Sequence, residues 1–150
     1  MLTPQFKPDL SVKFAPRVSR RLRSAVNRIC RRYQMPEADV LRYSMEAVVL
    51  MAHLGKIRLL RPTGDYTLDA MMTVRTSKAI GKALREIHER MKERDNQLLH
   101  ADVLRRCLET ILPVAELRGM AYVMRLRETN LAAPGRSRSS RTSAHKSKSK

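Results

Sequence analysis

The sequence predicts a mainly α-helical fold in which one unit, strand then helix then turn then helix, occurs twice along a single chain. An internal repeat is the first observation behind that prediction. Offsetting the chain by 62 residues lays Val12 on Val74, Lys13 on Arg75, Val18 on Ile80 and Leu22 on Leu84. An offset of 63 lays Ala38-Asp39-Val40-Leu41-Arg42 on the identical Ala101-Asp102-Val103-Leu104-Arg105, and self-similarity of this kind marks a duplicated structural unit. The second observation is a change of apolar period, from alternation to helical spacing, near the start of each copy. The third is charge: 31 Lys and Arg face 14 Asp and Glu in 150 residues, a formal net charge of +17.

Residues 1–9 hold Pro4 and Pro8 without periodicity and read as an irregular arm, whose Lys7 could touch a phosphate. Copy one takes residues 10–55. Leu10, Val12 and Phe14 alternate with Ser11 and Lys13, a strand with one apolar and one polar face. Pro16 cannot extend a ladder and suits a first helical turn, so the strand is expected to end there and a helix to begin. Val18, Leu22, Ala25, Val26, Ile29 and Cys30 then form a buried stripe. The other positions carry Arg17, Arg20, Arg21, Arg23, Arg28, Arg31 and Arg32, with no acid between Leu10 and Pro36. Stable helices usually mix charge signs on their solvent face, so this run points to an external polyanion as the counter-charge. Pro36 opens a second helix with Glu37 and Asp39 in its first turn. That helix is apolar on more than one side, at Val40, Leu41, Met45, Val48, Val49 and from Met51 to Ala52, and is expected to stop at Gly55.

Residues 56–71 form a connector with the turn signal Pro62-Thr63-Gly64-Asp65. Copy two takes residues 72–112. Met72 and Val74 face inward and Thr73 and Arg75 outward, while Thr76 holds the inward slot that Phe14 holds in copy one. Ser77 is the expected N-cap of a helix with Ile80, Leu84, Ile87 and Met91 inside and charges of both signs outside. Asp95-Asn96-Gln97 makes a turn, and a fourth helix follows from about Ala101 to Leu112. Pro113 is expected to interrupt it ahead of a helical extension over 113–129. Residues 130–150 carry six Lys and Arg and no acid, a basic tail expected to stay disordered.

A net charge of this sign draws polyanions, nucleic acid first. No apolar run approaches the ~20 residues of a membrane span, and residues 1–10 lack the pattern of a signal peptide. No membrane role is expected, and a cytoplasmic location, associated with nucleoid or plasmid, is. Cys30 and Cys107 stand apart as buried small residues, and His53, His88, His100 and His145 are scattered, so no metal or cofactor is expected. No nucleophile with a base, phosphate loop or carboxylate cluster argues for an enzyme.

Outward Lys13 and Arg75, with Ser11 and Thr73, alternate with inward aliphatics just ahead of a helix, and in this the chain resembles the ribbon-helix-helix superfamily of the Arc and MetJ repressors. The resemblance spans Leu10 to about Leu112. It implies a tandem ribbon-helix-helix pseudo-dimer on one chain, whose two strands pair as an antiparallel ribbon that enters the major groove of double-stranded DNA. It implies base reading by Ser11, Lys13, Thr73 and Arg75, residue types able to contact base edges. It implies phosphate contacts at the starts of the second helices, at Ala38 and Ala101, where Glu37, Asp39 and Asp102 oppose an incoming anion. Arg17, Arg20, Arg21 and Lys78, with Arg136, Arg138 and Arg141 in the tail, complete the expected backbone contacts. The tandem arrangement also resembles the relaxosome accessory proteins of conjugative plasmids and T-DNA transfer systems. A transcriptional repressor is thus the first expectation and a relaxosome accessory the alternative, with transcription machinery or a relaxase as protein partner. An antitoxin ranks last, because the tail lacks the apolar anchors and acids that wrap a toxin. The pseudo-dimer is expected to be a monomer able to associate further on adjacent half-sites.

Overall fold

The computed structural model describes residues 10–61 and 67–132. The arm with Lys7, the turn signal Pro62-Thr63-Gly64-Asp65, and the tail with Arg136, Arg138 and Arg141 lie outside the described residues. In chain order the elements are β1 (Val12–Phe14), β2 (Arg17–Val18), α1 (Arg20–Tyr33), α2 (Glu37–His53), β3 (Ala70–Met71), β4 (Val74–Thr76), α3 (Lys78–Lys92), α4 (His100–Arg118) and α5 (Met120–Ala132). The fold is mainly helical, with short antiparallel strand pairs.

A three-residue strand cannot satisfy its own backbone, and β1 finds its partner in the other copy. It pairs antiparallel with β4, Val12 opposite Thr76, Lys13 opposite Arg75 and Phe14 opposite Val74. A second pair joins β2 to β3, Arg17 opposite Met71 and Val18 opposite Ala70. The expectation that Pro16 opens the first helix is corrected here. Pro16 is buried and its carbonyl accepts the Met72 N–H at 3.2 Å, so the chain stays extended through Val18. Ser19 caps α1, its hydroxyl accepting from the Leu22 N–H at 3.2 Å. Ser77 caps α3 in the same way through the Ile80 N–H, as its sequence position predicts.

These caps also correct the offset between the first helices. Leu22, Ala25, Val26 and Ile29 are the buried positions of α1, and Ile80, Ala83, Leu84 and Ile87 are those of α3. They correspond at an offset of 58 (Leu22 to Ile80), whereas the strands keep 62 (Lys13 to Arg75). The difference of four residues is close to one helical turn, so an apolar stripe laid on itself one turn out of step still matches. The added residues in copy one, Ala15 to Val18, include β2. The second helices keep 63: Val40, Leu41, Met45, Val48 and Val49 of α2 match Val103, Leu104, Leu108, Ile111 and Leu112 of α4, all buried.

α2 is central, packed by α1, α3, α4, α5 and β4, which accounts for its apolar residues on more than one side. Side chains such as Leu41 and Met45 are fully buried, each worth about 1.5–3 kcal/mol in removal from water. Pro113 does not interrupt the fourth helix as expected. α4 runs through it to Arg118, because the buried Ile111, Leu112 and Ala115 on either side hold the turn against the one hydrogen bond that proline forfeits. The break falls at Gly119, whose φ of 96° favours glycine and where an added Cβ would stand 3.3 Å from the Tyr33 hydroxyl. α5 then folds back on α2, burying Met120 and Val123.

Candidate nucleic-acid interface

The register places Lys13 and Arg75 on one exposed face, and Ser11 and Thr73, each one residue before its strand, are exposed as well. Phe14 is half-buried and Val74 and Thr76 are fully buried on the other face. Lys13 and Arg75 stand directly opposite each other, on strands about 4.8 Å apart. Like charges in that position destabilise a ribbon, and neither residue meets an acid among the described residues. The pairing is also its own counterpart under exchange of the copies. Val12 faces Thr76, which corresponds to Phe14, and Phe14 faces Val74, which corresponds to Val12.

The buried face of the ribbon is tied down by groups that sequence reasoning missed. Thr76, in its apolar slot, donates its hydroxyl to Glu46 Oε2 at 2.6 Å, and Glu46 Oε1 accepts from Arg127 Nε at 2.5 Å. Glu46 is only 5% exposed, so its carboxylate needs both partners. The inward threonine was the available signal, since a buried hydroxyl requires an acceptor. Under β1, the Phe14 ring lies 5.3 Å from that of His100, which in turn meets His88 edge-on at 5.5 Å. His88 Nε2 donates to the Leu98 carbonyl at 2.7 Å. Burial, reinforced by His88 and Arg85, pushes the His100 imidazole pKa down. α3 approaches so closely that a Cβ on Gly81 would stand 3.3 Å from the Val12 side chain.

The starts of α2 and α4 carry Ala38 and Ala101 in their first turns. Neither Pro36 nor Leu99 supplies a capping oxygen from its side chain. The acids expected to repel a phosphate there are each met by an arginine: Glu37 by Arg23 at 2.7 Å, Asp39 by Arg42 at 3.7 Å, and Asp102 by Arg105. Arg105 also donates to the Arg17 carbonyl at 3.0 Å. With the His100 contact to Phe14, this holds the start of α4 beside β1 and β2.

Four of the seven arginines in the run of copy one are answered from inside the molecule, which corrects the expectation of an external counter-charge for those four. Arg20 meets Asp69 at 3.0 Å, Arg21 meets Glu109 at 3.3 Å, and Arg28 meets Glu116 at 2.7 Å, in addition to Arg23 with Glu37. An acid-free stretch of sequence is not an acid-free environment, because α4, α2 and the connector bring carboxylates across. The Arg28 guanidinium holds the Glu116 carboxyl below the usual carboxylate range. Arg17, on β2, and Lys78, the first residue of α3, are exposed and meet no acid among the described residues, as with Lys13 and Arg75. Arg20 and Arg21, by contrast, are exposed but ion-paired.

No protein-family model, curated protein or solved structure matches this chain. Its chemistry is therefore read from its own side chains. Cys107 is fully buried, which pushes its thiol up to about 12, and Cys30 is half-buried. Among the described residues no group of His, Cys, Asp and Glu is placed to hold a metal ion, and no helix is long and apolar enough to cross a membrane.

Proposed function

We propose that the chain is a tandem ribbon-helix-helix pseudo-dimer that lays β1 and β4 into the major groove of double-stranded DNA and represses transcription by occupying its site. The observation that carries this reading is the Lys13 and Arg75 pair, uncompensated among the described residues, at the centre of an exposed ribbon to which each copy contributes one strand. The major groove of B-DNA is about 12 Å wide and admits a two-stranded ribbon. Lys13 and Arg75 donate to guanine O6 and N7, with Ser11 and Thr73 reading the bases on either side. Arg17, Lys78 and the amides near Ala38 and Ala101 contact phosphates. Arg20 and Arg21 contribute less, because ion pairs already occupy them.

Lys13→Ala and Arg75→Ala should each weaken binding to a selected site by about 1–3 kcal/mol, and much less on scrambled duplex. Removing residues 136–150 should weaken binding on every duplex and lower the salt slope by about 0.9 for each phosphate that the tail neutralises. Binding isotherms on both DNAs at two salt concentrations separate these effects. Equal losses on both DNAs for the strand variants would remove the ribbon as the reading element. Footprinting across the DNA flanking the gene distinguishes repression, which protects a promoter, from a relaxosome role, which protects DNA beside a nick site.

A further inference from the structure

The ends of α2 and α3 remote from the ribbon, the first residues of the connector and the turn before α4 enclose an open groove of about 520 Å³. Arg90 in this groove lies about 18 Å along α3 from Lys78, the end that follows β4. Its walls carry Arg58, Arg61, Arg90, Arg94 and Arg106, against a single carboxylate, Asp95. None of the five arginines has an ion pair among the described residues. Arg90 donates to the His53 carbonyl at 3.3 Å, and Asp95 accepts the Gln97 N–H at 3.2 Å. The floor is apolar, formed by Ile57, Leu59, Ile87, Met91 and Leu98. Copy one has no counterpart of the turn that supplies Arg94, Asp95 and Leu98, since only Gln34 to Pro36 separate α1 from α2, whereas Glu93 to Leu99 separate α3 from α4.

We propose that this groove docks an acidic segment of a partner protein, its apolar side chains on the floor and its carboxylates on the arginine walls. Charge complementarity selects the occupant: guanidinium groups pair with carboxylates through two parallel hydrogen bonds, and carboxylate-flanked aliphatic side chains match both walls and floor. A DNA backbone has no apolar group to place on the floor, and single-stranded bases find no aromatic side chain in the lining on which to stack. A second copy of this chain is a poor occupant, because its net charge of +17 repels the arginine walls. The inference does not depend on the ribbon reading DNA.

The test titrates the full chain into a labelled synthetic helical peptide with leucines on one face and glutamates on the other, followed by fluorescence anisotropy. A peptide of equal charge with serine in place of leucine should bind on the order of tenfold more weakly. Arg58→Ala combined with Arg94→Ala should weaken the leucine peptide by a similar factor while leaving duplex binding intact. Arg58→Gln with Arg94→Gln gives a second readout if circular dichroism shows that the alanine pair is misfolded. Lys13→Ala should bind the peptide as the unaltered chain does, so failure of the DNA reading leaves this result untouched. Equal binding of both peptides, or an unchanged affinity in the arginine variants, would overturn the proposal. Loss of duplex binding instead of peptide binding in those variants would overturn it too and assign the groove to nucleic acid.

Discussion

Copy one and copy two hold their helices together with opposite electrostatics at corresponding positions. In one half, Arg28 of α1 meets Glu116 of α4 at 2.7 Å; in the other, Glu86 of α3 meets His53 of α2 at 2.7 Å, with acid and base exchanged. The hydrogen bond from His53 holds the Glu86 carboxyl below its usual range, as Arg28 does for Glu116. Glu109 and Glu46 also correspond and both carboxylates are largely covered, yet Glu109, 11% exposed, pairs with an arginine at the surface, whereas Glu46 lies beneath the ribbon between Thr76 and Arg127. Four buried apolar positions of α1 and α3 and five of α2 and α4, by contrast, do correspond. The likeness between the two segments thus rests on the apolar stripes, while the polar contacts around them differ.

The most severe way to break this comparison is to separate the halves. β1 without β4, and α2 without α3, α4 and α5, leave an apolar helix stripped of most of the elements that cover it. Residues 1–60 alone should therefore be unfolded or self-dimerised, by sedimentation and circular dichroism, and a folded monomer would show that the copies do not depend on a shared core. Next in size is the contrast between the two glutamates. Glu46→Ala leaves Arg127 and Thr76 unanswered and should cost about 3 kcal/mol of stability in urea titrations. Glu109→Ala removes a pair to the exposed Arg21 together with a buried carboxylate oxygen that has no partner among the described residues, so it should cost less, about 1 kcal/mol. Equal costs would mean that the two positions are environmentally alike.

The smallest effect is a pH dependence confined to copy two. His100, whose counterpart in copy one is Glu37, has its pKa lowered by burial, with His88 and Arg85 adding to the shift. The unfolded chain then binds more protons than the folded one below the ordinary histidine pKa of about 6.5, so stability should fall as pH drops through that value. His100→Phe should flatten the thermal-denaturation profile over that interval. A profile unchanged by the substitution would place the sensitivity elsewhere.

Part of the ribbon was legible in the sequence, because alternation dictates faces: Lys13 and Arg75 had to point away from the residues on either side of them if the strands formed at all. The N-cap at Ser77 was legible for an equally local reason. Ser19 was hidden by Pro16, which suits a first helical turn as well as it suits the end of a strand. The slip of the first helices was hidden by the helical period itself, since four residues return a stripe almost to its starting face. Pro113 misled because its cost is local while the burial of Ile111, Leu112 and Ala115 that outweighs it depends on neighbouring elements.

The sequence by itself determined the recurring segments, the apolar faces of the strands, the two-sided burial of α2 and the excess of positive charge. Each depends on spacing along the chain or on composition, quantities that folding does not alter. Only the tertiary structure decided which charges remain unpaired. It delivered Glu109, Glu116 and Asp69 to the arginines of α1, seated Glu46 under Thr76, set His100 against Phe14 and gathered five arginines around one groove. Residues far apart in the chain meet only where helix packing brings them together, and an ionic contact a few ångströms long is set by that packing rather than by any local pattern.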